Sequence, residues 1–242
     1  MSEFEERNAK AIREMKTDST LAKLTQDWFT HSAKHEYSYH FLWMGRPIIQ
    51  YPQDIIAMQE LIWTIKPSLI IETGIAHGGL LILYASLLEL IGGAGRVVGI
   101  DIDIRPHNRV EIEKHPMFKR ITMLEGSSID EKIAEQVRRL ADGQRPILVV
   151  LDSNHTHSHV AEELRLYSPL VTKGSFLVVF DTVVENMSKA HFSNRPWGPG
   201  DNPMTAVREF LGKSDRFEVD PEIEHKLQIT VAPGGYLRCI KD

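Results

Sequence analysis

The 242-residue chain is 42% hydrophobic and 25% charged, which excludes a disordered or low-complexity protein and fits one generous globular domain or a domain with an appendage. A formal net charge of -5, with no lysine/arginine stripe among aromatics, argues against a nucleic-acid partner. The lone cysteine, Cys239, excludes an internal disulfide framework; with no leader-like segment and no apolar run of the roughly 18 residues a membrane span needs, a cytoplasmic protein without a span is predicted.

Residues 1–53 read as an extension. Glu3 to Trp28 has helical spacing and many charges, predicting one or two amphipathic helices outside the main core. His35 to Asp54 is aromatic-rich but broken by Gly45, Pro47 and Pro52, so no long helix is expected there. Residues 54–242 form the main domain. It opens with the helical segment DIIAMQELIWTIKP, with Asp54 as expected N-cap and Pro67 as stop.

From Ser68 onward, strands and helices alternate. SLIIET, RVVGIDID, RITMLEG, PILVVLDS and SFLVVFDT read as strands, with helical segments between them. Continuous β-branched and leucine runs mark strands buried on both faces, and the alternation implies a mostly parallel sheet with right-handed crossovers. A loop rich in Pro, Gly and Trp (Arg195 to Pro203) precedes a helix around Thr205 to Leu211. EHKLQITVAP and GYLRCIK then read as a C-terminal antiparallel hairpin around Pro-Gly-Gly. The predicted fold is α/β, in the Rossmann-like class I methyltransferase arrangement.

The most informative stretch is LIIETGIAHGGLLILYAS, Leu69 to Ser86: a strand ending in Glu72, a turn with Gly74, His77, Gly78 and Gly79, then a helix. Such a turn brings backbone close to a nucleotide-like ligand. An acid stands where the dinucleotide fingerprint has its first glycine. A carboxylate there repels a pyrophosphate and suits an ammonium, a sulfonium or ribose hydroxyls, which points to S-adenosylmethionine rather than NAD.

In an open parallel sheet the ligand lies across the carboxyl ends of the strands, and every strand of this series ends in an acid. Asp101 and Asp103 follow the second strand; Asp101 is the better candidate for the ribose hydroxyls. Glu125, Gly126, Ser127 and Ser128 follow the third, placed to frame an adenine edge. Asp152 and His155 follow the fourth and Asp181 the fifth, as candidates for a divalent metal; His155 is also the candidate base for a substrate hydroxyl, and Asp152 a candidate orienting group and cofactor contact. The run His155, His157, His159 invites a zinc reading but lacks a cysteine partner or an H-E-x-x-H motif, so His157 and His159 are assigned to the following helix.

These segments, with VVFDTVVEN, RPWGPGDNP and KLQITVAPGGYL, resemble the cephalosporin hydroxylase family, which includes rhamnosyl O-methyltransferases of glycolipid assembly. The resemblance runs from roughly Trp43 to Tyr236. It implies an S-adenosylmethionine-dependent O-methyltransferase acting on a sugar or small polyhydroxylated metabolite. It also implies a magnesium site of an aspartate after the fourth strand and an acidic pair after the fifth. Asp152 and Asp181 match two of those positions. Phe180 stands at the third, where Glu185 or Asn154 is left to substitute.

Two other functions compete. One is a non-catalytic accessory protein on the same fold. The other is an iron hydroxylase drawing on His155, His157 and a carboxylate, which leaves the glycine turn without a role. The N-terminal helices and surplus aromatics also suggest a homo-oligomer.

Overall fold

The computed structural model describes residues 2–242. Helices α1 (Glu3–Thr17) and α2 (Ser19–Ala33) open the chain. Ser2 and Glu5 form a reciprocal capping box on α1, and the Asp18 carboxylate accepts from the Thr20 and Leu21 N–H groups to cap α2. Asp18 is thus where the amphipathic stretch divides. α1 buries no residue and α2 only Phe29, which stacks on Tyr51 with ring centroids 5.0 Å apart.

A small hairpin follows, β1 (Leu42–Trp43) and β2 (Arg46–Pro47), turned by Met44 and Gly45 at positive φ. α3 (Pro52–Ile65) starts with Pro52 in its first turn and Tyr51 as cap residue, which corrects the expectation for Asp54. Asp54 is fully buried and accepts hydrogen bonds from Thr230 Oγ1, the Val231 N–H and the Tyr236 hydroxyl. It ties α3 to the C-terminal segment.

The expected alternation is present: β3 (Leu69–Thr73), α4 (Gly79–Ile91), β4 (Arg96–Asp101), α5 (Pro106–Glu113), β5 (Ile121–Glu125), α6 (Glu131–Ala141), β6 (Ile147–Leu151), α7 (His157–Tyr167) and β7 (Phe176–Val179). α8 (Pro203–Lys213), β8 (Phe217–Val219), α9 (Pro221–Leu227) and β9 (Tyr236–Cys239) complete the chain. The antiparallel C-terminal pair exists, but its first strand is β8. The segment expected to be that strand instead enters α9, because the Asp220 carboxylate caps it and Pro221 presets its first turn. Gln228, at φ 60°, then ends the helix.

The seven strands run in the order β5-β4-β3-β6-β7-β9-β8, with β9 antiparallel to both neighbours. Ile70, Leu148 and Val178 pack on the α3 and α4 side, and Ile71, Val149 and Leu177 on the α6, α7 and α8 side. That two-sided burial is why these strands carry no alternating pattern. Winding reverses between β3 and β6, and the register pairs Thr73 and Val179 with Leu151. The carboxyl ends of β3, β6 and β7 therefore lie side by side at the switch point, where such sheets open a crevice. Among the described residues, no helix is long and apolar enough to cross a membrane.

Candidate active site

Glu72 lies on the same face of β3 as Ile70, fully buried, and neither carboxylate oxygen has a hydrogen-bond partner. Burial, and next the nearby Asp101 charge, raise its carboxyl well above the usual carboxylate range. A buried acid with no donor costs free energy unless a cationic or donor-rich partner meets it.

The turn above it is fastened on both polar sides. Asp101 accepts from the Ile75 N–H at 2.8 Å, the Ala76 N–H at 3.1 Å and the Asp103 N–H at 3.0 Å. On the carbonyl side, the Arg46 guanidinium donates to the His77 carbonyl at 2.6 and 3.0 Å and to Asn108 Oδ1 at 3.0 Å. Asn108 donates to the Ala76 carbonyl at 3.0 Å, and its Oδ1 lies 3.3 Å from His77 Nδ1. Arg46 and Asn108 escaped the sequence reading because they sit 62 residues apart and neither belongs to the glycine pattern.

The glycines serve protein contacts. Gly74 has φ 91°, and a Cβ there would stand 2.0 Å from the Asp152 carbonyl oxygen; one at Gly79 would stand 2.2 Å from the Pro47 carbonyl oxygen. The turn can thus lie against both β6 and the N-terminal hairpin. Gly78 caps α4 in the left-handed region.

Beside the turn is a cavity of about 270 Å³, lined by Gly74, Asp101, Ile102, Ser127, Ser128 and His159 among others. His159 Nε2 lies 3.0 Å from Ser128 Oγ and 3.1 Å from Ser153 Oγ, and Ser153 donates to the buried Glu163 at 2.7 Å. Gly126, at φ 154°, turns the chain toward these serines. Glu125 is exposed and paired with Arg109 at 2.6 Å, and Asp103 is exposed; neither lines the cavity.

The second cluster stands at the ends of β6 and β7. Ligand-type atoms of Asp152, His155 and Asp181 all lie within 4.8 Å of one another. Burial first, then the facing Asp181 carboxylate, and then Glu72 and Glu163, push the Asp152 carboxyl well above the usual range. Facing carboxylates of this kind need a shared proton or a cation. His155 Nε2 is 3.3 Å from Asp181 Oδ2, and the Trp197 ring meets the imidazole edge-on at 4.8 Å between centroids.

Phe180 points into the core at 1% exposure and offers no ligand atom. Glu185 accepts from the Gly200 N–H, Asn202 Nδ2 and Arg208, whose donors hold its carboxyl below the usual range. Asn154 Oδ1 accepts from the Thr156 N–H and hydroxyl. Both candidates for the third position are therefore engaged elsewhere. His157 contacts Thr205 and Glu209 of α8, so a site of two histidines and one carboxylate is not assembled.

Residues 35–240 match the family described as Rhamnosyl O-methyltransferase/CmcI. The rhamnosyl O-methyltransferase of Mycobacterium tuberculosis is 32% identical over 190 residues, covering 76% of this chain and 72% of that protein. That of Mycobacterium leprae is 32% identical over 203 residues, covering 81% of each. Among solved structures, CmcI with Mg and SAM superposes with a TM-score of 0.60 at 19% identity, covering 84% of this chain and 78% of that one. An O-methyltransferase from Bacillus cereus in complex with SAH gives 0.57 at 18%, covering 93% and 92%. The chain belongs to the rhamnosyl O-methyltransferase/CmcI family.

Proposed function

We propose that the protein transfers the methyl group of S-adenosylmethionine to a hydroxyl of a sugar, carried on a glycolipid, a polysaccharide or a glycosylated natural product. The observation that carries this reading is the unpartnered Glu72 on β3 standing near Asp152 of the Asp152–His155–Asp181 cluster at the end of the neighbouring strand β6, in a chain 32% identical to rhamnosyl O-methyltransferases. Glu72 offers a counter-charge to the cofactor's ammonium, Asp101 an acceptor for its ribose, and the Ser127–Ser128 cavity a seat for its adenine. No observation favours the non-catalytic alternative.

The reaction needs an acceptor oxygen in line with the methyl carbon and the sulfur. The oxygen's lone pair forms the new C–O bond while the C–S electron pair stays on sulfur, turning the sulfonium into a thioether. The hydroxyl proton passes to His155, which Asp181 orients. Asp152 and Asp181 fit a magnesium ion, since two facing oxygen donors suit a hard cation that keeps several waters. When bound, such an ion lowers the cost of deprotonating the acceptor.

Exposed Tyr39, Leu42 and Met44 around the β1–β2 hairpin support a homo-oligomer, which light scattering tests; a monomer at every concentration rejects it. Buried Cys239 fits a reducing, cytoplasmic setting. The function itself is tested by S-adenosylhomocysteine release in a screen of glycolipid sugars, nucleotide sugars and glycosides. Release that depends on a sugar is expected. Its absence across the panel refutes the sugar acceptor.

A further inference from the structure

Trp197 has no role in either hydrophobic core. It is only half-buried and belongs to neither core cluster, yet the turn that directly follows it is closely fixed. Gly198 and Asp201 pair through two backbone hydrogen bonds of 2.9 and 3.0 Å. Fully buried Asn202 donates to the Gly198 carbonyl at 2.9 Å and to Glu185, which also accepts from the Gly200 N–H at 2.8 Å. Asp201 accepts from the His157 N–H at 2.7 Å, at the start of α7. The loop is fastened to the segment after β7, to α7 and to α8.

The indole is thus carried at the edge of a fastened turn, outside either core. Its observed ring neighbours are the His155 imidazole, perpendicular to it at 4.8 Å, and the exposed Arg195 guanidinium over the indole at 5.3 Å. The Arg195 contact shows that the π-face accepts a positively polarised group. The His155 contact places the indole beside the group that takes the acceptor's proton.

We propose that Trp197 is the stacking platform of an acceptor subsite, and that its ligand is a pyranose ring. A pyranose carries polarised C–H groups on one face and hydroxyls around its rim. The C–H face suits the indole face over which Arg195 lies, so the sugar takes the place of that exposed guanidinium, with one rim hydroxyl toward His155 and the others toward water and the displaced Arg195. The inference rests on the methyl-transfer reading above and adds the residue that holds the sugar.

Calorimetry on the protein saturated with S-adenosylhomocysteine tests it, because binding is read without turnover. The probes are the methyl glycosides of rhamnose, fucose, mannose, galactose and glucose. At least one is expected to bind the wild type. Trp197→Ala should weaken that glycoside about ten-fold or more, and Trp197→Phe, which keeps an aromatic face, about three-fold or less. Affinity for S-adenosylhomocysteine should stay within about two-fold in both variants, which also shows that they fold. Wild-type affinity in Trp197→Ala overturns the platform while leaving the sugar reading intact. Equal losses in the two variants, or a parallel loss of S-adenosylhomocysteine, also overturn it, since stacking would then not be the cause. Failure of all five glycosides to bind the wild type rejects the pyranose acceptor and the platform together, with cofactor binding untouched.

Discussion

The His155 imidazole lies 3.3 Å from the Asp181 carboxylate, linking the segment after β6 to the segment after β7. An aspartate at one ring nitrogen fixes the orientation of the imidazole and leaves the other nitrogen for a substrate proton. His155→Ala is expected to lower turnover by about 100-fold or more. Cofactor affinity should be nearly unchanged, because His155 does not line the cavity beside the glycine turn. Steady-state kinetics with calorimetry separates the two effects, and full turnover in the variant removes His155 as base.

Asp181 also faces Asp152. Asp181→Asn is expected to weaken divalent-cation binding by about ten-fold or more, as loss of an anionic ligand should. Direct titration with magnesium reads this without turnover. Unchanged affinity would place the cation elsewhere.

Glu72 separates stability from function. Glu72→Gln removes a buried ionisable group that has no partner, so the melting temperature should hold or rise. The same change removes the counter-charge for a cationic ligand. S-adenosylmethionine should bind about 10-fold more weakly or worse, the scale of a lost charged hydrogen bond. Calorimetry paired with thermal melts checks both, and wild-type affinity would exclude Glu72 from the cofactor site.

Asp54 gives the fold a pH signature. Burial raises its carboxyl from 3.8 to about 6, against the lowering effect of its Thr230, Tyr236 and Val231 hydrogen bonds. The folded protein therefore holds this proton more tightly than the unfolded chain. Its contribution is complete below about pH 4 and is lost as pH rises through about 6, on the order of 3 kcal/mol in all. Urea titrations across that window should show the slope in the wild type and its loss in Asp54→Asn. The same slope in both proteins would assign it to another group.

The alternation of β3 to β7 was legible because buried parallel strands write themselves as apolar runs, and the strand-end acids followed from where such sheets bind ligands. Asp54 was misread because local sequence shows a capping residue type but not the partners about 180 residues away that engage it. β8 and β9 flank a helix whose Asp-Pro start competes with a β-rich composition, and the N-cap prevailed. Arg46 illustrates a different limit. Its value lies in meeting the glycine turn across the hairpin, a relation carried by tertiary packing. The placement of Asp152, His155 and Asp181 together was readable from strand order, whereas the engagement of Glu185 by the Trp197 loop was not.

The most direct measurement follows the methyl group itself. The protein is incubated with S-adenosylmethionine carrying a carbon-13 methyl and the sugar acceptor found by screening, and the product is examined by NMR. Sugar O-methylation predicts one labelled methyl on a sugar oxygen, appearing in step with S-adenosylhomocysteine and formed about 100-fold or more slowly by His155→Ala. Bound cofactor whose label never reaches an oxygen, or label found on nitrogen or carbon, would contradict it.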